Sequence, residues 1–116
     1  MPNLDKSHAV QLILNQNTEE ALSTLAEYYK VSVPKLKVGL PRGHKRVQGC
    51  YTSKNHTISV SDCSMLCNPF VILHEFYHHL RSKSVDRQHR GTEKNANKFA
   101  VEFLLEHKVT SRHLTS

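Results

Sequence analysis

Apolar side chains recur along this chain in two rhythms, and the switch between them separates helical ends from an extended middle. Residues 8–15 carry Ala9, Val10, Leu12, Ile13 and Leu14 in a short helical pattern that Asn15, Gln16 and Asn17 interrupt. A second helix follows, capped by Thr18, in which Ala21, Leu22, Leu25, Ala26 and Tyr29 return every three or four residues and share one buried face. Glu19 and Glu20 stand in its first turn, where the helix dipole favours negative charge. Beyond Lys30 the period shortens to two. Val31, Val33, Leu36 and Val38 alternate around Pro34, which predicts a strand whose proline suits an edge or a strand start. Gly39, Pro41 and Gly43 end it. A hairpin is then expected, with residues 46–52 and 57–61 as strands, a turn at 53–55, and Ile58 and Val60 facing the same way.

Helical spacing resumes at Asn68-Pro69, where the Asn side chain can accept an amide hydrogen bond left over at a helix start and Pro fits the first turn. That helix is predicted to end near Ser82. The polar stretch 83–91 reads as a loop, and Thr92 caps a last helix in which Ala96, Phe99, Ala100, Phe103 and Leu104 keep helical spacing as far as His107. No sustained pattern continues through 108–116. These elements predict an α+β fold, a small three-stranded sheet packed on helices, with one domain over residues 1–107 and a C-terminal tail over 108–116.

Composition changes this picture little. A chain of 116 residues has room for one modest core. Lys and Arg outnumber Asp and Glu by 16 to 10, for a charge of +6. The basic residues are scattered rather than gathered on one helix face, so nucleic acid is not the expected partner and the charge is read as aiding solubility. No apolar run reaches the ~20 residues needed to cross a bilayer, and the chain does not open on a basic segment followed by a hydrophobic one. The expectation is a cytoplasmic protein with no membrane partner, a monomer or weak dimer. Three cysteines, Cys50, Cys63 and Cys67, cannot all pair within one chain and are expected as reduced thiols. Cys63-x-x-x-Cys67 lacks the second pair that a structural zinc site needs.

The chemistry concentrates in His74-Glu75-Phe76-Tyr77-His78. An H-E-x-x-H run on a helix places two imidazoles one turn apart on one face, where both can reach a single metal ion. Glu75, offset by about 100° from His74, stands beside the ion's open position and can act there as a general base toward water. Val71, Ile72, Leu73, Phe76, Tyr77 and Leu80 surround the motif with apolar side chains, so the helix is expected to be buried. Its polar groups then need compensation, which metal ligation provides. Catalytic zinc takes three protein ligands and keeps one position open, so a third ligand must come from elsewhere. Glu93 is the candidate, in the first turn of the last helix after a loop long enough to bring that helix back. Glu102 and Glu106 are rival carboxylates two or more turns further on. Asn97, one turn beyond Glu93, shares its face and can orient a ligating histidine.

H-E-x-x-H followed by Glu93-x-x-Ala96-Asn97 and the Phe99-Ala100 pair resembles the gluzincin metallopeptidases, and in size the minigluzincins among them. The resemblance covers residues 58–105 and departs from the commoner pattern at Asn97, where many relatives have Asp. It implies a zincin core, with His74, His78 and Glu93 as zinc ligands and Glu75 as general base and acid in the hydrolysis of peptide or protein substrates. It also implies an edge strand that holds the substrate backbone, here Gln48, Gly49, Cys50 and Tyr51. A His, Tyr or Arg that stabilises the oxyanion is implied as well, and Tyr51, Tyr77, His79 and Arg90 are open candidates. The family's latency implies that 108–116 enters the cleft as an extended strand, with His113 or the terminal carboxylate of Ser116 approaching the metal.

The other histidines carry less. His79 should point elsewhere on the helix than His78, and His8, His44, His56, His89 and His107 are expected on the surface. Two further readings stay open. One is a regulatory peptidase acting on a DNA-bound repressor, a group that shares H-E-x-x-H and the run from Glu93 to Ala100. The other is a basic binding module that uses zinc only to fold. Glu75 separates that last reading from an enzyme, since a purely structural site gives no reason for a carboxylate beside the metal.

Overall fold

Asp5 opens helix α1 (Lys6–Leu14) by accepting a hydrogen bond from the His8 amide at 2.9 Å. The computed structural model describes residues 5–40, 47–83 and 92–115. Helix α2 (Thr18–Tyr29) buries Ala21, Leu22, Leu25 and Ala26, the face expected of it. Its cap differs from expectation. Asn17 holds the capping position without a side-chain hydrogen bond, while Thr18 lies inside the helix and donates its hydroxyl to the Leu66 carbonyl. A long-range bond outcompetes the local one because it satisfies a carbonyl from a separate element. Lys30 closes α2 in the left-handed region at φ 60°.

The sheet has three strands, β1 (Lys35–Val38), β2 (Gly49–Thr52) and β3 (Thr57–Val60), in the order β1-β3-β2. Strand β2 runs antiparallel to β3 through the expected hairpin, closed by His56 at φ 53°, and β1 runs parallel to β3. Strand β1 starts only after Pro34. The alternation suggested a start at Val31, but the Val31 amide donates to the Ala26 carbonyl at 3.0 Å and so belongs to the end of α2. All four residues of β3 are buried, which makes it the central strand on both faces as well as in order.

Asp62 accepts from the Ser64 amide and opens a short 3-10 turn over Cys63–Cys67. Helix α3 (Pro69–Lys83) follows, and the Asn68 side chain accepts from the Val71 amide at 3.3 Å, as the sequence requires of a cap. Helix α4 (Thr92–Thr115) packs on α3 and α1. The core joins α1, α2, β3 and α3 through Ile13, Leu22, Leu25, Ile58, Ile72 and Phe76, Phe103 completes it from α4, and Leu36 and Tyr51 pack against it from the other two strands. Phe99 ties α4 into the aromatic cluster, with ring centroids 4.9 Å from Phe103, 5.4 Å from Tyr77 and 6.1 Å from Tyr29.

The segment after His107 corrects an expectation. It is not an extended strand: α4 continues as helix to Thr115. At 1.5 Å per residue, position 108 lies about 22 Å along the axis from Glu93 and position 113 about 30 Å. The helix therefore carries this segment away from the histidine pair. Ser116 lies outside the described residues. Among the described residues no helix is long and apolar enough to cross a membrane.

Candidate metal centre

His74 and His78 sit one turn apart on α3 with their Nε2 atoms 3.3 Å apart. Helix α4 packs against α3 so that its first turn brings Glu93 to both: Oε1 is 3.4 Å from His74 Nε2, and Oε2 is 2.5 Å from His78 Nε2. Among the described residues these three form the one group of potential ligands whose donor atoms all lie within 4.8 Å of one another. Tetrahedral zinc, with bonds of ~2.0–2.1 Å, separates its ligand atoms by roughly 3.3–3.4 Å. Two of the three separations match that edge length. The third is a shorter, direct contact between the Glu93 carboxylate and the His78 imidazole. The donor set, two imidazoles and a carboxylate, is also one that divalent zinc accepts.

The surroundings prepare these donors. His74 Nδ1–H donates to the Asn97 Oδ1 at 2.8 Å, which leaves the Nε2 lone pair facing Glu93. Burial holds His78 below the ordinary imidazole pKa; the Glu93 carboxylate opposes that shift and His74 adds to it. The net effect favours the neutral, ligating form at pH 7. The two histidine side chains are 13% and 20% exposed and Glu93 is 75% exposed, so the centre opens to solvent on its α4 side. The rival Glu102 instead reaches toward Lys6 on α1 at 3.9 Å, and Glu106 is exposed.

Glu75 is the unusual group. It is buried, and burial together with the Glu93 charge pushes its carboxyl up to about 7. Strand β2 lies directly against it: a Cβ built on Gly49 would come 2.7 Å from Val71 Cγ1 and 3.4 Å from Glu75 Cγ. Gly49 thus permits a close approach, but of β2 to α3. The neighbouring Cys50 thiol is pushed up by burial and by the Glu75 carboxylate. Gln48 precedes β2, and its carbonyl accepts from the Ser61 amide at 2.9 Å.

Tyr51 turns away from the histidine pair. Its hydroxyl donates to His79 Nδ1 at 2.7 Å and lies within reach of Ser82 Oγ at 3.0 Å and His56 Nδ1 at 3.2 Å. His79 is fully buried, and its Nε2–H donates to the Ser32 carbonyl at 2.7 Å. Tyr51 and His79 therefore satisfy one another, and neither faces the metal centre. Tyr77 is half-buried with its ring against Phe99, and Arg90 lies outside the described residues. His8 is exposed as expected. His56 is not: it is half-buried beside Tyr51 and His79, because the hairpin turn folds onto the end of α3. His107 is half-buried too, bonded to Gln11 at 3.1 Å. His44 and His89 lie outside the described residues.

This network, in which Tyr51, His56, Ser82 and Ser32 gather around the buried His79, has no counterpart in the sequence reading. The one local signal was a third histidine inside an otherwise apolar helix, which demands a buried hydrogen-bond partner. Comparison with protein-family models, with curated proteins and with solved structures gave no match to this chain.

Proposed function

We propose that this chain is a zinc-dependent peptidase in which His74, His78 and Glu93 hold the ion and Glu75 moves the proton. The observation that carries the reading is a buried glutamate, Glu75, next in the chain to the first residue of a three-donor cluster whose ligand atoms all lie within 4.8 Å of one another. A site that used metal only to fold has no use for such a group.

His74, His78 and Glu93 would hold the ion, which would supply Lewis-acid polarisation of a peptide carbonyl and of water. Glu75 accepts a proton from water at its carboxylate and later returns it to the leaving amine. Asn97 fixes the His74 ring. Strand β2 is an edge strand lying on Glu75, so an extended peptide added along its open side would run past the general base.

The test compares wild type with Glu75→Gln for zinc content and for cleavage of denatured casein. The expected result is equal zinc in both and a loss of cleavage of at least ~100-fold in the variant. Equal cleavage by both proteins, or a zinc-loaded wild type with none, contradicts the reading and leaves a zinc-stabilised binding module.

A further inference from the structure

We propose that the open edge of β1, with the groove beside it, binds an extended acidic segment of a partner protein by strand addition. This surface is separate from the metal centre, because β3 stands between β1 and β2, the strand that lies on Glu75.

The register shows which main-chain groups are available. The Lys35 amide donates to the His56 carbonyl at 2.8 Å and the Gly39 amide to the Val60 carbonyl at 2.7 Å, so the odd-numbered residues of this strand turn toward β3. Leu36 and Val38 turn their amides and carbonyls outward, and among the described residues nothing pairs with them. Such an edge is a template for one more strand.

The groove supplies a place for side chains. Two open cavities, about 810 Å³ and 500 Å³, adjoin along this edge and share Glu19 and Leu36 in their walls. Together they lie between β1 and the first half of α2, where the half-buried Leu36 and Leu66 offer apolar surface and Glu19, Glu20 and Cys63 share the walls.

Charge selects the occupant. Lys35 and Lys37 are exposed and alternate with Leu36 and Val38. Side chains directly across a strand pair lie ~4.5–5.5 Å apart, where opposite charges attract and like charges repel. A second copy of β1 would set lysines against lysines. A strand of alternating acidic and apolar residues instead places carboxylates against Lys35 and Lys37 and only apolar groups toward Leu36, on the side where Glu19 and Glu20 line the groove and would repel further negative charge. The net charge of +6 adds long-range attraction for such a segment.

The probe is a fluorescein-labelled, N-acetylated octapeptide alternating Glu and Val, titrated with the full chain and read by fluorescence anisotropy. Saturable binding is expected, about tenfold weaker for Lys35→Glu/Lys37→Glu, which alters two exposed side chains only. That variant should prefer the matching peptide with Lys in place of Glu. Methylating one alternate set of peptide amides should abolish binding while methylating the other set does not. Peptide should also slow alkylation of Cys63. No saturable binding, equal binding of the Glu and Lys peptides by wild type, indifference to both methylation sets, or a β1-dependent dimer that excludes the peptide would each overturn the proposal.

Discussion

Asn97 on α4 accepts a hydrogen bond from His74 Nδ1 at 2.8 Å, so the helix that brings Glu93 also sets the orientation of the first histidine. Asn97→Ala removes that acceptor without opening a buried cavity, since Asn97 is exposed. Zinc affinity should fall roughly 10–100-fold with thermal stability of the metal-free protein unchanged. Asn97→Asp should restore it. Competition against a chromophoric chelator reads both, and equal affinity of wild type and Asn97→Ala would remove Asn97 from the account.

Glu75 should also leave a mark on stability without metal. Its carboxyl stands at about 7 in the folded state against an ordinary 4.5, through burial first and the Glu93 charge second. A raised pKa means the folded state holds the proton more tightly. The contribution is fully present below pH 4.5 and is lost as pH rises through about 7. His78 has the opposite sign, because its pKa is lowered, mainly by burial, and its contribution is lost as pH falls below 6.5. Subtracting the melting temperatures of Glu75→Gln from those of wild type, in chelator, isolates the first effect. The difference should decline between pH 4.5 and about 7; a flat difference would show that Glu75 is not held in this way.

Gly49 marks where β2 rests on α3. An added methyl meets Val71 Cγ1 at 2.7 Å and the Ser59 carbonyl oxygen at 3.3 Å, and neither a β-branched side chain nor a central strand yields easily. Gly49→Ala should cost about 1–3 kcal/mol in urea denaturation. Adding Val71→Ala should recover part of that loss, so that the double-mutant cycle shows coupling. Strict additivity would mean that the two sites do not touch.

Tyr51 and His79 join β2 to the buried side of α3 through a 2.7 Å hydrogen bond. Tyr51→Phe keeps the ring and leaves the buried His79 Nδ1 without that donor, at a cost of about 1–3 kcal/mol. Zinc affinity should hardly change, since the hydroxyl does not face the histidine pair. A large drop in zinc affinity with unchanged stability would reassign Tyr51 to the metal centre.

The legible parts of this molecule are those fixed by local chemistry. Helix α2 follows from the spacing of Ala21, Leu22, Leu25 and Ala26, the start of α3 from Asn68-Pro69, and the hairpin from the alternation around Ile58 and Val60. The convergence of His74 and His78 follows from their spacing of four. Glu93 stands in the first turn of the last helix and Glu102 more than two turns further on, and the structure places Glu93 at the pair and Glu102 toward Lys6. What stayed hidden depends on elements distant in the chain. The parallel pairing of β1 with β3, the diversion of Thr18 to Leu66, and the contact of His56 with Tyr51 and His79 leave no local pattern. The end of α4 lies beyond His107 for a different reason. Leu105 and Val109 are 55% and 53% exposed, so the helix outruns the core and carries no buried stripe to announce it.

The central claim is that two imidazoles and the Glu93 carboxylate converge on one ion. Crystals grown with zinc, measured on either side of the zinc absorption edge, test it most directly. The account predicts one strong anomalous peak bonded at ~2.0–2.2 Å to His74 Nε2, His78 Nε2 and a Glu93 oxygen. A peak that lacks Glu93, or zinc bound elsewhere with the histidine pair unligated, would contradict it.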